Sequence, residues 1–140
     1  MDKKKAEANA QLLEVLNKTL ELEYSLIIHY PHIAEAVRDP ETKQLTQSLG
    51  AASIGHFDTV SGAIKKLGGV PRWSFEPFPQ KLELKRIFQI QLGKEQMALK
   101  LHLQIAAMTA DPSLREKFNK LSKEEELHIQ TVEKILTHVG

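Results

Sequence analysis

Cysteine is absent from the 140-residue sequence, and aromatic residues make up only 6% of it. Without cysteine, the chain cannot form a disulfide, a thiolate-bound zinc site or a cysteine-ligated iron–sulfur cluster. No apolar run approaches the ~20 residues that a membrane-spanning helix requires, and the polar N-terminal stretch has no apolar signal core. We therefore expect a cytoplasmic protein that does not enter the membrane.

An excess of charge of one sign is also missing. The formal net charge is +1 with the six histidines neutral, and 26% of the residues are charged. This balance gives no sign of the strongly basic surface by which proteins bind nucleic acid or anionic membranes, so neither is an expected partner. With 41% hydrophobic residues, the chain is long enough to bury its own core, and we expect one domain over residues 1–140.

What the sequence does contain is four long amphipathic segments. Between the breaks, apolar residues recur every three or four positions, as the buried face of a helix requires. The breaks lie at Asp39-Pro40, in the glycine- and proline-rich stretch 68–80, and at Asp111-Pro112. The pattern predicts an all-α protein with helices at about 6–38, 41–68, 81–110 and 112–138. The short breaks make two helical hairpins, and the longer connection between them could cross one end of a bundle or run back along it.

The two predicted hairpins repeat one another at a constant offset of 72 residues. The matching pairs are Glu23 with Glu95, Asp39-Pro40 with Asp111-Pro112, His56 with His128, and Thr59-Val60 with Thr131-Val132. Because helix starts and polar residues agree together without a gap, an internal duplication with a pseudo-twofold axis is favoured over chance similarity of two amphipathic hairpins. The repeat fails at one notable place, since Glu125 precedes His128 by three residues whereas Ser53 stands at the equivalent place before His56.

Five ionisable residues interrupt the apolar helix faces. They are Glu23, His56, Glu95, Glu125 and His128. Residues three apart project from one face of a helix, so Glu125 and His128 can reach one point inside the bundle, and the pseudo-symmetry directs His56 to the same region. Three carboxylates gathered there would repel one another and lose their hydration. A divalent cation removes both costs, and mixed carboxylate and imidazole ligands suit iron, manganese or zinc better than calcium or magnesium.

Each of these signals alone is common in proteins without a metal. A single histidine on an apolar face is usually a hydrogen-bonded core residue, and a Glu-x-x-His pair arises often by chance. The agreement of five residues in helix depth, inside a repeat, is what favours a metal site.

In these segments the sequence resembles the ferritin-like superfamily, in particular bacterioferritin and the diiron domain of rubrerythrin. The resemblance covers nearly the whole chain and rests on LELEYSLIIHY (20–30), GHFDTVSGAIKKLGGVP (55–71), KEQMALKLH (94–102) and SKEEELH (122–128). It implies a ferritin-like four-helix bundle made of two pseudo-symmetric hairpins with a longer crossover.

The resemblance also implies roles for single residues. It makes Glu23, His56, Glu95, Glu125 and His128 the metal ligands, with Glu125 bridging two ions. It implies iron as the metal, with manganese or zinc as alternatives, and dioxygen or peroxide as the oxidant in ferroxidase or peroxidase chemistry. Tyr30, two turns along from Glu23, corresponds to a tyrosine beside the site and is the candidate catalytic residue.

Three departures from the family pattern narrow these expectations. Ser53 replaces the other bridging glutamate, so we expect an asymmetric site in which Glu95, Glu125 and His128 hold one metal well while Glu23 and His56 hold a second weakly. Whether one or two ions bind therefore stays open. Ile54 stands where bacterioferritin has its haem-binding methionine, so no haem is expected. The sequence stops twelve residues after His128, without the extra short helix of cage-forming relatives, and we expect a homodimer rather than a storage shell.

Two other functions stay open. The chain could be a metal-binding or assembly protein that has lost redox turnover, or a helical interaction module whose polar core is a relic.

Several further residues carry weaker expectations. His102 matches Tyr30 at the 72-residue offset, so it should face the interior as a hydrogen-bonded core residue or as an added ligand that compensates for Ser53. His29 and His32 lie about 120° and 180° from the Glu23 face at ~100° per residue, so both are expected at the surface or an interface. The seven-residue spacing of Ser48, Gly55 and Gly62 predicts close approach of another helix, within the bundle or across a dimer, or else a ligand groove.

Overall fold

The computed structural model describes residues 3–78 and 82–139, and all regular secondary structure in them is helical. The helices are α1 (Lys3–Ala36), α2 (Pro40–Lys66), α3 (Leu84–Met108) and α4 (Pro112–Leu136). The all-α prediction is confirmed, and the ends of the helices lie within about three residues of the predicted ones. The predicted start of the third helix, at residue 81, falls outside the described residues.

Helices α2 and α4 begin in the same way, as the repeat predicts. Asp39 accepts hydrogen bonds from the backbone N–H of Thr42 at 2.9 Å and from its hydroxyl at 2.7 Å, and Asp111 accepts one from the N–H of Ser113 at 3.0 Å. A proline follows each aspartate at the first helical position, where no N–H is needed inside the helix. Each hairpin therefore turns through the same Asp-Pro cap.

The connection between the hairpins runs back along α1. Its contacts follow the order of α1, pairing Arg72 with Asn17, Trp73 with Tyr24, Glu76 with Ser25 and Phe78 with His32. Helix α3 therefore begins at the end of the bundle where α2 begins, and these two helices run parallel. In the resulting bundle α1 packs against α2 and α3, and α4 packs against α3 and, less extensively, against α2.

The crossover corrects one prediction. His29 was expected at the surface or an interface, but its side chain is fully buried. Its Nε2 lies 2.7 Å from the backbone oxygen of Glu76, to which it donates. Because the crossover covers this side of α1, a wider part of the helix is buried than a two-helix contact would bury. His32 is exposed, as predicted.

Apolar side chains form two clusters at different levels of the bundle. One includes Leu16, Ile64 and Phe118, and the other includes Leu26 and Val132. Between the two levels lies a layer of buried polar side chains that comes from all four helices. Within residues 3–78 and 82–139, none of the helices combines the length and the hydropathy that a membrane span needs.

Candidate metal centre

The polar layer contains all five residues that the sequence pointed to. Glu23 comes from α1, His56 from α2, Glu95 from α3, and Glu125 and His128 from α4. The three carboxylates are fully buried, His56 is almost so, and the side chain of His128 keeps 13% of its exposure. The structure therefore brings the five together at one level of the bundle.

Glu125 lies at the centre of the layer, between two groups of possible ligands. We call Glu23, His56, His102 and Glu125 the four-residue half-site, and Glu95, Glu125 and His128 the three-residue half-site. Within each half-site the candidate ligand atoms all lie within 4.8 Å of one another. Only Glu125 belongs to both.

The two carboxylate oxygens of Glu125 point to different half-sites. Its Oε1 lies 2.9 Å from Nδ1 of His56, and its Oε2 lies 3.6 Å from Nδ1 of His128. A carboxylate placed in this way can bind one cation through each oxygen. This is the arrangement of a bridging ligand between two metal ions.

In the four-residue half-site, two histidines face the carboxylate of Glu23. Nε2 of His102 lies 3.2 Å from Glu23 Oε1, and Nδ1 of His56 lies 3.7 Å from the same oxygen. Ligands at ~2.0–2.1 Å from a tetrahedral ion are about 3.3 Å apart, so these spacings suit a shared cation. The sequence placed His102 in the interior, through its match to Tyr30, and left its role open.

The three-residue half-site has a smaller ligand set, and its two carboxylates act on the candidate tyrosine. Nδ1 of His128 lies 3.3 Å from Oε2 of Glu95. Tyr30 is fully buried, and its hydroxyl has no hydrogen-bond partner among the described residues. Burial raises the pKa of this hydroxyl well above its usual value, and the charges of Glu95 and Glu125 raise it further. Tyr30 is therefore a neutral phenol at neutral pH.

Ser53 lies in the same layer but in neither half-site. It is buried, and its hydroxyl donates to the backbone oxygen of Leu49 at 3.1 Å. A serine that bonds back to its own helix offers no anionic ligand. Helix α2 therefore contributes His56 alone to the half-sites.

Glu124 is a residue of the candidate site that sequence reasoning missed. Its Oε2 lies 2.8 Å from Nε2 of His56, on the side of the ring opposite Glu125. A hydrogen bond at Nε2 orients the ring and leaves Nδ1 to face the interior, as outer carboxylates do for metal-bound histidines. The sequence feature that could have pointed to Glu124 is its position directly before Glu125. The 72-residue offset aligns Glu124 with Ala52, so α2 has no equivalent acid that could contact His128.

The polar layer divides its charges unevenly. Burial lowers the pKa of His56, but its contacts with Glu125 and Glu23 outweigh this and raise it to about 11. Burial also lowers the pKa of His128, but its contacts with Glu125 and Glu95 outweigh burial and raise the pKa to about 9. His102 differs, because burial lowers its pKa to about 4 and leaves a neutral imidazole at neutral pH.

The carboxylates respond to the same environment. Burial raises the pKa of both Glu23 and Glu95. Burial acts in that direction on Glu125 as well, but its contacts with the imidazoles of His128 and His56 outweigh burial and lower the pKa. Glu125 is therefore the carboxylate that stays ionised most readily, as a shared ligand should.

Several buried atoms of the layer have no hydrogen-bond partner among the described residues. They are Oε2 of Glu23, both oxygens of Glu95, Oε2 of Glu125, Nδ1 of His102 and Nδ1 of His128. An unsatisfied buried polar group costs about 1–3 kcal/mol, and more when it is charged. A divalent cation would give partners to the carboxylate oxygens and to the histidine nitrogens that face them. The residues present therefore fit a metal ion, or a pair of them.

A groove between α2 and α4 leads to the layer from outside. It encloses about 670 Å³ and is lined by both His56 and His128. Gly55 and Gly62 also line it, and apart from the adjacent backbone of α2 itself no atom in the described part of the chain lies within 4 Å of a Cβ built on either glycine. The expected close approach of a helix within the bundle is therefore wrong, and the two glycines border open space.

Comparison with known proteins identifies the architecture. A family model described as a ferritin-like domain matches residues 13–139. A ferritin-like, diiron-carboxylate protein from Bacillus anthracis str. Ames superposes with a TM-score of 0.83 at 24% sequence identity, over 97% of this chain and 99% of that chain. Curated protein sequences gave no match.

Two further structures have the same fold. The dodecameric thioferritin of Bacteroides fragilis, a bacterioferritin-related protein, has a TM-score of 0.82 and 19% identity over 94% of this chain and 87% of that one. The bacterioferritin of Desulfovibrio desulfuricans, described with its diiron site in different catalytic states, has a TM-score of 0.81 and 21% identity over 95% and 82%. The predicted four-helix architecture is confirmed.

Proposed function

We propose, from the premise that this chain belongs to the ferritin-like domain family, that it binds two iron ions across Glu125 and oxidises Fe(II) with dioxygen or peroxide. The observation that carries the proposal is the division of the Glu125 oxygens between two half-sites. With peroxide, two Fe(II) ions each lose one electron, and the peroxide takes up two electrons and two protons and leaves as two water molecules. Manganese or zinc would suit the same ligands.

The chain's own residues account for the charge that such a site must hold. Glu23, Glu95 and Glu125 supply three negative charges against the four positive charges of two divalent ions. Their burial makes each charge more effective than it would be in water. The carboxylate of Glu124 accepts a hydrogen bond from Nε2 of His56 and so orients the imidazole ring. Nδ1 of His56 then already faces the half-site, and the ring need not rotate when an ion binds.

Tyr30 is the proposed catalytic residue. As a neutral phenol in a buried position, it holds a proton close to Glu95 and Glu125, whose charges raise its pKa. Its hydroxyl can therefore donate a hydrogen bond to dioxygen or peroxide near Glu95 and Glu125, while it keeps its proton. Reactants would reach the site through the groove between α2 and α4, since both His56 and His128 line it.

The test is oxidation of Fe(II) by the purified protein, with Glu125→Gln as the disabling variant. We expect the wild-type protein to oxidise added Fe(II) faster than buffer does, with uptake of dioxygen or peroxide, and Glu125→Gln to reduce the rate to that of buffer. Glu126→Gln is the matched control, because Glu126 is adjacent in sequence but exposed. A wild-type rate equal to that of buffer would overturn the proposed activity.

A second candidate function is metal binding without turnover. The feature that favours it is Ser53, which bonds to Leu49 instead of supplying the second bridging carboxylate. Stoichiometric metal in the purified protein, combined with no oxygen or peroxide consumption, would favour this alternative. Absence of bound metal under anaerobic loading would reject both candidates and favour an interaction module.

Assembly, location and haem content stay predictions from the sequence. A homodimer is proposed, and large apolar side chains such as Trp73 and Leu127 are 65% and 61% exposed on the single chain. Light scattering of the purified protein tests this state directly. A cytoplasmic location and the absence of haem are proposed on the sequence features given above.

A further inference from the structure

We propose that His102 is itself a metal ligand, and that the four-residue half-site binds its ion more tightly than the three-residue half-site does. This inference rests on the proposed metal binding at the same site. It reverses the asymmetry expected from the sequence, in which Glu95, Glu125 and His128 formed the stronger site and Glu23 and His56 the weaker one.

His102 is placed as a ligand rather than as a satisfied core residue. Its side chain is fully buried, and its Nε2 lies 3.2 Å from Glu23 Oε1 and 4.0 Å from Glu125 Oε1. Its Nδ1 has no hydrogen-bond partner among the described residues. Because Nδ1 has no such partner, the direction of Nε2 is the observation that bears on ligation. His102 directs this nitrogen at the two carboxylates that any ion in this half-site would bind.

The two half-sites differ in the number of protein ligands they offer. The four-residue half-site offers two imidazole nitrogens and two carboxylates, whereas the three-residue half-site offers one nitrogen and two carboxylates. Four protein ligands complete a tetrahedral set, and three leave a position open for water or substrate. The first half-site therefore suits an ion that is retained, and the second an ion that exchanges.

The pseudo-symmetry of the bundle shows why only one half-site gained a ligand. The 72-residue offset pairs His102 on α3 with Tyr30 on α1. The charges of Glu95 and Glu125 act on the pKa of the buried Tyr30 hydroxyl, while His102 faces Glu23 in the other half-site. The same position of the repeat thus supplies a neutral phenol to one half-site and a nitrogen donor to the other.

Charge makes the second ion the weaker one. An imidazole replaces the missing α2 carboxylate as a donor but not as a negative charge. Two divalent ions facing three carboxylates leave one excess positive charge in a buried layer, so binding of the first ion opposes the second. Since Glu125 is common to both half-sites, His102 is the residue that decides which ion binds first.

Cobalt(II) is a suitable probe, because its visible absorption reports coordination and X-ray absorption counts imidazole ligands. Wild-type protein with one equivalent of Co(II) should show two imidazoles on the metal, from His56 and His102. Binding in the three-residue half-site would give one imidazole, from His128. This measurement needs no substitution, so it does not depend on how a variant folds, and a count of one would overturn the inference.

Substitutions then locate the tighter ion. His102→Gln should weaken binding of the first Co(II) roughly tenfold or more, and His128→Gln should weaken only the second. His29→Gln is the matched control, because His29 is an equally buried histidine bound to the backbone of Glu76, outside both half-sites. It should leave both affinities unchanged.

Two outcomes separate this inference from the proposed function. If wild-type protein binds Co(II) and His102→Gln binds the first ion with unchanged affinity, only the role of His102 is rejected. If wild-type protein binds no Co(II), the proposed metal site fails and the inference fails with it.

Discussion

Helices α2 and α4 are the same element of the repeat, and they agree at their starts while differing at their centres. Asp39 and Asp111 begin them with the same cap. At the level of the metal centre, α4 carries Glu124 and Glu125 where α2 carries Ala52 and Ser53. The fold therefore requires the caps and the apolar faces, but not four matched acids. Under the proposed function, the acids decide how the site would divide its ions, and they leave it open on the α2 side.

The groove follows from the same difference. On α2 the side facing α4 carries small residues, among them Ala52, Gly55 and Gly62, and these line the open space. The acids of α4 instead lie against His56. Helix α4 thus supplies carboxylates and His128, whereas α2 supplies His56 alone and leaves room to reach the site.

The largest expected effect is that of pH on the stability of protein prepared without metal. In the metal-free protein the pKa values of His56 and His128 are raised from 6.5 to about 11 and about 9. A raised pKa stabilises the fold below the unfolded value, and this stability is lost as the pH rises through the folded value. Burial raises the pKa values of Glu23 and Glu95 with the same sign. Thermal unfolding of metal-free protein should therefore move to lower temperature between about pH 6 and about pH 9.

Metal loading should flatten this profile. Bound ions hold the ligands deprotonated and stabilise the folded state by mass action. Glu125 has a lowered pKa, so it opposes the trend only at acidic pH, below about 4.5, and not in this window. If the stability of metal-free protein rose steadily from pH 6 to pH 9, the ion pairs of His56 and His128 with the buried carboxylates would be contradicted.

The next effect comes from restoring the missing acid of α2. Ser53→Glu should strengthen binding of the second ion at least tenfold, which corresponds to about 1.4 kcal/mol, because a fourth carboxylate balances two divalent ions. The same change should lower the thermal stability of metal-free protein, since it adds a buried like charge. Ser53→Gln is the matched control with similar volume and no charge. Equal effects of the two substitutions on metal affinity would show that charge is not what α2 lacks.

The shared starts of the two helices should respond alike. Asp39→Ala and Asp111→Ala each remove a side chain that accepts from the first turn, and each should cost about 1 kcal/mol of unfolding free energy. Chemical denaturation measures both. Asp58→Ala, at an exposed mid-helix position of α2, is the control and should change the stability little. If only one of the two substitutions lowered the unfolding free energy, the two caps would not stabilise their helices in the same way.

The smallest change in equilibrium properties is expected from filling the groove. Gly62→Leu should fold without strain, because nothing in the described chain lies near its Cβ position, and it should gain up to about 1 kcal/mol from helix propensity. Its effect should appear in kinetics, as slower Fe(II) oxidation with unchanged metal stoichiometry. Gly93→Leu is the matched control, since Gly93 on α3 has the same open space but does not line the groove. Equal rates in both variants would reject the groove as the route.

The sequence predicted the helices and the five converging residues because periodicity reports which side of a helix is buried. It could not predict His29, because the crossover buries an additional side of α1 and its path is not encoded in helix spacing. Nor could it assign Glu124, which contacts His56 across 68 residues of chain. For His102 the repeat indicated the interior but not which carboxylate it faces. Those roles depend on how helices are rotated against one another.

The most direct test of the account is an anaerobic equilibrium titration with Fe(II), in which bound iron is counted per chain for wild-type protein, Glu125→Gln and Glu126→Gln. The account predicts two ions of unequal affinity in the wild-type protein, the same two in Glu126→Gln, and severe loss of both in Glu125→Gln, because one carboxylate serves both half-sites. Two ions retained by Glu125→Gln with unchanged affinities would contradict the shared ligand, and with it the dinuclear site.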